Sequence, residues 1–251
     1  MPVCPPSRVS MIVIPGPASM TSAISPSLSC VNDEQRSAAW QAAGLAVAAQ
    51  ITDGMTVGLG TGRSAAAAIR ALGARVADGL SCAGVPTSYG SEALAHEVGI
   101  EVTALRDDLD IAFDGADCVT RNGLIVKGAG GAMVRERLVA EAAKRFVVLV
   151  DETKLGDTLD AWGLLPIAVL PFAADRVTKQ LADLTPARRE NPSDDGLILI
   201  DLCVPAGEDW VAVADRAWST PGVVDHGLFV VDPADVLVGY PDGARRLPDV
   251  V

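Results

Sequence analysis

Between residues 33 and 150 the sequence alternates between Ala-rich helical segments and short apolar segments that end in glycine or aspartate. The alternation predicts helices over residues 33–51, 64–72, 91–98 and 132–144, and strands over residues 55–60, 100–105, 110–113 and 145–150, with one more inside 79–88. Strands that each lead into a helix usually pair in parallel. The predicted fold class is therefore α/β, a Rossmann-like, mostly parallel sheet with helices on both faces.

The pattern changes after residue 160. The segments that follow are a strand over 164–172, a helix over 174–184, a polar loop over 186–196, a strand over 197–204, a helix and turn over 207–222, and short strands within 227–240. This order predicts a small inserted α+β domain of ferredoxin-like type at residues 161–227. Residues 32–160 and 228–251 would then form the Rossmann-like catalytic domain.

Residues 1–31 differ in composition from the rest of the chain. They are rich in Pro and Ser, carry one charge, Arg8, and lack the basic start and unbroken apolar core of a secretory signal. This composition predicts a disordered N-terminal extension, with Met11 and Met20 as alternative translation starts. No apolar run in the chain reaches the roughly 18 residues of a membrane-spanning helix.

The composition excludes several function classes. A net charge of −12 argues against a nucleic-acid or anionic-membrane surface, so a phosphorylated substrate would need local cations. The five cysteines show no CxxC spacing, which indicates neither a zinc site nor a disulfide framework, and reduced cytoplasmic thiols are expected. Because there are only two histidines, acid–base chemistry is expected to rest on carboxylates.

The glycine-rich segment 58–64 joins a predicted strand to a predicted helix. Its glycines permit close backbone approach, and the helix N-terminus favours an anion, with Thr61, Arg63 and Ser64 completing a phosphate cradle. A dinucleotide fingerprint with Asp78 as its acidic residue is an alternative, although Arg63 stands where the third glycine would be. A plain tight turn is the third interpretation.

The run 109–138 contains most of the candidate chemistry. Asp114 and Asp117 follow a strand, Lys127 precedes a glycine cluster, and Glu136 lies in the second turn of a helix. These groups could serve proton transfer on a small anionic substrate, with Glu136 as general base and Lys127 with glycine N–H groups stabilising an oxyanion. The alternatives are a simple turn at the aspartates, a strand-end cation and a solvated helix face.

Two further residues have weaker signals. Lys154 follows the strand at 145–150 and should emerge at the same sheet edge as Asp114, where it would be a second substrate cation rather than a surface lysine. Cys118 has no histidine near it in sequence, so a buried thiol is favoured over a nucleophile.

Taken together, GLGTGRSAAAAI, the PTS of VPTSYGSEAL, FDGADCV, VKGAGGAMVRER and DETK resemble, in order and spacing, the ribose-5-phosphate isomerase type A family. The resemblance covers roughly residues 32–251. It implies interconversion of ribose 5-phosphate and ribulose 5-phosphate in the non-oxidative pentose phosphate pathway, without metal or other cofactor, in a cytoplasmic homodimer or homotetramer.

The resemblance also implies roles for residues. Glu136 corresponds to the catalytic proton acceptor, with Lys127, Asp114 and Asp117 as its catalytic partners. The substrate-binding groups would be Thr61, Gly62, Arg63, Ser64, Asp114, Gly115, Ala116, Asp117, Lys127, Gly128, Ala129, Gly130 and Lys154.

The chain departs from the family pattern at three positions. The family commonly has Ser-Thr in place of Arg63-Ser64, a glycine in place of Ala129 and an acidic residue in place of Cys118. The rival functions are a non-catalytic sugar-phosphate sensor of the same fold, an NAD-dependent oxidoreductase, and a sugar-phosphate deaminase or lactonase of related fold. A sensor would need an output module, and a deaminase or lactonase would be expected to use a histidine.

Overall fold

The structure is a computed structural model that describes residues 32–250. The predicted N-terminal extension, residues 1–31, lies outside the described residues. Within them the chain forms three β-sheets, with α-helices packed mainly on the largest. None of the helices in residues 32–250 is both long and apolar enough to cross a membrane.

The largest sheet has seven strands, and six of them are parallel. Its strands are β1 (Thr56–Leu59), β2 (Ala83–Pro86), β3 (Glu101–Val102), β4 (Ile111–Gly115), β7 (Phe146–Asp151), β14 (Val236–Tyr240) and β15 (Gly243–Arg246). Their order across the sheet is β15-β14-β7-β4-β1-β2-β3, and only β15 is antiparallel to its neighbour. The chain leaves β1 towards one edge of the sheet and later returns to β4 beside it. A crevice opens where the strand order reverses in this way.

Helices cover both faces of this sheet. They are α1 (Asp33–Ala48), α2 (Arg63–Ala77), α3 (Tyr89–Glu97) and α4 (Met133–Ala142). Along β7, Val147 and Leu149 pack into the core under α1, α2 and α3, whereas Val148 points to the opposite face. Val139 of α4 packs on that opposite side of the sheet, against Ala112. The predicted fold class is confirmed.

The first and last parts of the described chain pack against each other. Helix α1 lies on β14. Gly239 makes this close approach possible, because a Cβ there would clash with the backbone of Ala39.

The second sheet is antiparallel and built within the segment predicted as the small domain. Its strands are β9 (Leu164–Val169), β10 (Ala187–Arg188), β11 (Ile198–Cys203) and β12 (Val223–His226), in the order β10-β11-β9-β12. It packs with α5 (Ala174–Gln180) and α6 (Trp210–Trp218) around a core that includes Ile167, Val177 and Val213.

The third sheet was not predicted. It contains β5 (Cys118–Thr120), β6 (Leu124–Val126), β8 (Leu155–Gly156) and β13 (Leu228–Val230), in the order β13-β6-β5-β8. Each strand has only two or three residues, which is too short for a recognisable alternating pattern. This sheet supports the segment between Asp117 and the glycine cluster.

Several predicted boundaries were wrong. Helix α1 ends at Ala48 instead of continuing to residue 51, β3 has two residues instead of six, and α5 ends at Gln180 before a separate turn. Helix α2 continues through Gly73 to Ala77, five residues beyond the predicted end. A Cβ at residue 73 would clash with Val98, so Gly73 allows close packing inside α2 and does not end the helix.

Candidate active site

The site forms at the carboxyl ends of β1, β4 and β7. The loop after β1 packs directly against Asp114 at the end of β4: a Cβ at Gly60 would clash with the Asp114 carboxyl group. The backbone N–H groups of Thr61 and Gly115 donate to Asp114 Oδ1 over 2.9 Å and 2.7 Å. These bonds fix the loop and the carboxylate as one unit.

Three buried charged groups meet beneath this loop. Lys127 Nζ lies 3.0 Å from Asp114 Oδ2 and 3.2 Å from Glu136 Oε2, and it also donates to the carbonyl of Gly115. The side chains of Asp114, Lys127 and Glu136 are 2%, 3% and 5% exposed. One ammonium therefore pairs with two carboxylates in a site almost closed to solvent.

Helix α4 brings Glu136 inward. Its buried residues are Met133, Glu136 and Val139, spaced three apart along one face. The interpretation of Glu136 as part of a solvated helix face was therefore wrong.

Burial and shared charge shift the proton affinities of all three groups. Burial, and then the negative charge of Asp114, raises the pKa of Glu136 to about 8. Burial likewise raises the pKa of Asp114. Burial disfavours the charged form of Lys127, but the two carboxylates outweigh it and hold the Lys127 pKa above its ordinary value. Lys127 is thus a permanent cation, and Glu136 is a carboxyl group that can gain and lose a proton near neutral pH.

Asp117 is fixed by the glycine-rich turn. The backbone N–H of Ala129 donates to Asp117 Oδ2 over 2.9 Å, and the N–H of Asp117 donates to the carbonyl of Val126. The turn closes with a 3.0 Å bond from Gly131 N to Gly128 O. Gly128 and Gly131 have φ values of 109° and 79°, which favour glycine.

A cleft of about 150 Å³ lies over these groups. Most predicted site residues line it: Thr61, Gly62, Arg63, Ser64, Gly115, Ala116, Asp117, Lys127, Gly128, Gly130, Glu136 and Lys154. Asp114 and Ala129 do not line it; Asp114 lies beneath Lys127, and Ala129 reaches the site only through its bond to Asp117. Glycines, hydroxyls and charged side chains supply most of its lining, and its size suits a small polar molecule.

Comparisons of the sequence with a family profile and with individual proteins all identify the same family. The sequence profile of ribose 5-phosphate isomerase A (phosphoriboisomerase A) matches residues 83–243. The ribose-5-phosphate isomerase A of Natronomonas pharaonis is 46% identical over 211 residues, covering 80% of this chain and 92% of that protein. That of Methanosarcina acetivorans is 40% identical over 219 residues, covering 82% and 92%. The chain belongs to the ribose-5-phosphate isomerase A family.

Solved structures of the ribose-5-phosphate isomerase A family share the architecture. The enzyme of Methanocaldococcus jannaschii aligns with a TM-score of 0.76 at 34% identity, covering 82% of this chain and 96% of that one. A D-ribose-5-phosphate isomerase in complex with phospho-erythronic acid aligns with a TM-score of 0.75 at 33% identity, covering 82% and 96%. The rival sensor function finds no support among these relatives.

The dinucleotide alternative does not fit the geometry of this family member. Asp78 follows the last residue of α2, about 22 Å along a 15-residue helix from the loop at its start. The residues after β2, where a ribose-binding carboxylate would be expected, are Thr87 and Ser88. Their hydroxyls bind Thr61 Oγ1 instead, at 2.7 Å and 2.8 Å.

Sequence reasoning missed Trp40, which lines the cleft from α1. The Arg63 guanidinium carbon lies 4.4 Å from the centre of the Trp40 ring, and that of Arg36 lies 5.4 Å from it. Trp40 Nε1 donates to Asp151 Oδ2 over 2.7 Å, and Asp151 also caps the short turn that carries Lys154. The apolar pattern of α1 gave no reason to separate Trp40 from core residues.

Cys118, on β5, packs into the core that the second sheet forms with α5 and α6, and burial raises the pKa of its thiol. The expected buried thiol is what the structure shows. A buried thiol of raised pKa is a poor nucleophile.

Proposed function

We propose that the chain is an aldose–ketose isomerase that interconverts D-ribose 5-phosphate and D-ribulose 5-phosphate through an enediolate. The observation that carries the proposal is the buried arrangement of Glu136, Lys127 and Asp114 under a small polar cleft. An aldose–ketose conversion needs one base that can give its proton back and one fixed positive charge beside the oxygens, and these three residues supply both.

Glu136 would act on the carbon atoms. As the carboxylate it takes the proton from C2 of the open-chain aldose, the C2–H electron pair forms the C1–C2 double bond, and the C1 carbonyl oxygen gains the negative charge. The hydrogen on O2 moves to O1, the protonated carboxyl returns its proton to C1, and C2 becomes the carbonyl carbon of the ketose. A base with a pKa of about 8 holds the proton tightly enough to remove it and loosely enough to return it near neutral pH.

Lys127 would stabilise the negative charge of the intermediate. Its ammonium is buried and already oriented, so it need not reorganise when charge develops on the enediolate oxygens. The N–H of Gly130, in the turn 128–131 that lines the cleft, would face the same charge. Asp117, which lines the cleft, would orient the hydroxyl groups, assist ring opening and move the proton between O1 and O2, whereas the buried Asp114 would act through its ion pair with Lys127.

The other end of the cleft would bind the phosphate. Gly62 precedes the first turn of α2, whose N-terminal N–H groups favour an anion, and Arg63 and Ser64 belong to that turn. Arg63 lies on the Trp40 ring, which holds its charge at the cleft wall. Lys154 adds a second cation from the β7 side. Gly62 would contribute a backbone contact, and Thr61 would line this end of the cleft while its own N–H holds Asp114.

A relative's ligand supports the size and charge of the substrate. That relative was solved with phospho-erythronic acid, a four-carbon acid that carries a phosphate. Its carboxylate has two oxygens in a plane, as an enediolate has. Ribose 5-phosphate also carries a phosphate, and its carbon chain is one carbon longer than that of phospho-erythronic acid.

We also infer a homodimer or homotetramer in the cytoplasm, with no nucleic-acid or membrane partner. Large apolar side chains remain exposed in the single chain, including Phe172, which is fully exposed, and Val230 at 73%. Light scattering on the purified protein tests the assembly: a monomer at micromolar concentration would contradict it. Cys82 and Cys118 are free thiols, which agrees with a reducing compartment.

The decisive experiment measures ribulose 5-phosphate formed from ribose 5-phosphate, with and without EDTA. We expect turnover that EDTA does not change. No turnover would overturn the enzyme function, and loss of turnover in EDTA would overturn the metal-free mechanism. The same reaction in D2O should place deuterium on C1 of the ketose, whereas complete retention of the substrate hydrogen would indicate a hydride shift in place of the enediolate.

A further inference from the structure

The turn 128–131 is held by an arginine from a distant part of the chain, Arg189. Arg189 Nη1 donates to the carbonyl of Gly128 over 2.7 Å and to that of Ala129 over 3.2 Å. Arg189 itself does not line the cleft. A single guanidinium nitrogen therefore fixes two consecutive peptide groups of the turn.

Peptide geometry carries this constraint into the cleft. In a trans peptide the C=O and the N–H point in opposite directions, so a carbonyl held by Arg189 directs the next N–H away from it. The N–H of Ala129 is so directed and binds Asp117, which lines the cleft. The N–H of Gly130 belongs to the second of these peptides, and among residues 32–250 it has no hydrogen-bond partner. It is therefore available to a ligand.

Arg189 is itself held rigidly. Its Nε and Nη2 form a two-point contact with Asp201 at 2.8 Å and 2.6 Å, and its backbone N–H donates to the carbonyl of Leu199. Asp201 lies on β11, a strand paired on both sides. The guanidinium is thus anchored to the second sheet, while its remaining nitrogen reaches the turn.

We propose that Arg189 is a positioning residue: through its bonds to the Gly128 and Ala129 carbonyls it orients the Gly130 N–H towards an oxyanion and, through the Ala129 N–H, holds Asp117 in the cleft. The inference rests on the proposed isomerase function. Arg189 would touch no substrate atom. It acts by keeping Asp117 and the Gly130 N–H oriented before the enediolate forms, which is when such preorganisation lowers the barrier.

The chain offers a matched control. Arg216 also makes a two-point contact with an aspartate: its Nη1 and Nη2 donate to exposed Asp183 at 2.6 Å and 2.5 Å. Arg216 also approaches the carbonyl of Gln180, but it bonds no residue of the cleft. Replacing either arginine removes one Arg–Asp pair, and only Arg189→Met releases the turn.

The test compares the parent with R189M, R189K, D201N and the control R216M. We expect R189M to lower kcat about 10- to 100-fold. Removal of one oxyanion donor typically lowers kcat about 10²- to 10³-fold, and a misaligned donor loses part of that factor. The KM should change by less than about threefold, because the residues that would bind the phosphate are unchanged. R189K should recover part of the loss, since an ammonium can bond one carbonyl but cannot hold Asp201 in two places. R216M should keep the parent's kcat.

Ligand affinities separate positioning from general damage. Phospho-erythronic acid should bind R189M more weakly by about the factor lost in kcat, whereas inorganic phosphate should bind R189M and parent alike. An R189M enzyme with parental kcat would overturn the inference, and so would a parallel fall of kcat, phosphate affinity and Tm. If R189M does not fold, R189K and D201N decide the matter by the same criteria. An inactive parent would overturn the proposed function itself, whereas an active parent with an equally active R189M overturns only the role of Arg189.

Discussion

Replacing Glu136 with Gln should remove catalysis and, at the same time, stabilise the protein. Gln has the shape of the protonated carboxyl group that the buried site favours at neutral pH. In the unfolded chain, by contrast, Glu136 is solvated and ionised. As the pH rises above 4.5, the unfolded parent releases the Glu136 proton while the folded parent keeps it, and the free energy of unfolding of the parent falls. The Gln variant has no such proton, so its free energy of unfolding lacks this dependence on pH.

The sign and size follow from the two pKa values. The folded-state pKa of Glu136 is raised from 4.5 to about 8, so the stabilising contribution of the protonated form is complete below pH 4.5 and declines as pH rises towards 8. Linkage then gives E136Q an advantage of about 1 kcal/mol at pH 5 and about 3 kcal/mol at pH 7. For a chain of this size, 3 kcal/mol corresponds to roughly 6–12 °C in Tm.

The assay is thermal unfolding at pH 5, 6, 7 and 8, together with isomerase turnover. We expect the Tm difference between E136Q and parent to grow with pH, and kcat to fall about 10²- to 10⁴-fold, as loss of a general base predicts. E141Q is the control, because Glu141 is exposed on the same helix. A Tm difference that does not change with pH, or an E136Q enzyme with near-parental turnover, would refute the reasoning.

Three other predictions concern the same cleft. The ratio kcat/KM should rise about tenfold per pH unit below pH 8, because the base must be ionised. D114N should move this rise to lower pH, because the Asp114 charge helps to raise the pKa of Glu136. The pH–rate profiles of parent and D114N test both expectations. K127M should lower kcat about 10²- to 10³-fold and also lower the Tm, since it leaves buried Asp114 without its cation. W40L should raise the KM for ribose 5-phosphate about 3- to 10-fold with a smaller change in kcat, because Arg63 loses a stacking contact of about 1 kcal/mol; steady-state kinetics and phosphate-binding titrations test it.

The sequence predicted the main sheet because its signal is local. The strands β1, β4 and β7 are short, mostly apolar runs. Gly60 follows β1 directly, and β4 and β7 end at Gly115 and Asp151. Since parallel strands present their carboxyl ends at one edge, Asp114 and the loop after β1 could be placed together without coordinates.

Other parts of the site depend on contacts that are distant in sequence. Arg189 stands in a polar loop, and only the pairing of β10 with β11 shows that it lies behind the turn 128–131. Trp40 has the same apolar character as its neighbours on α1, and its role depends on Arg63 and Asp151. Local pattern contains no information on such partners, which is why both residues were missed.

The packing of α1 on β14 has a consequence for synthesis of the chain. The cleft takes Trp40 from α1, and α1 rests on a strand that begins only at Val236. A ribosome makes α1 nearly two hundred residues before that strand exists. The nascent chain therefore carries Glu136, Lys127 and Asp114 long before it has a complete substrate cleft, and the wall that Trp40 forms is fixed only after β14 has been made.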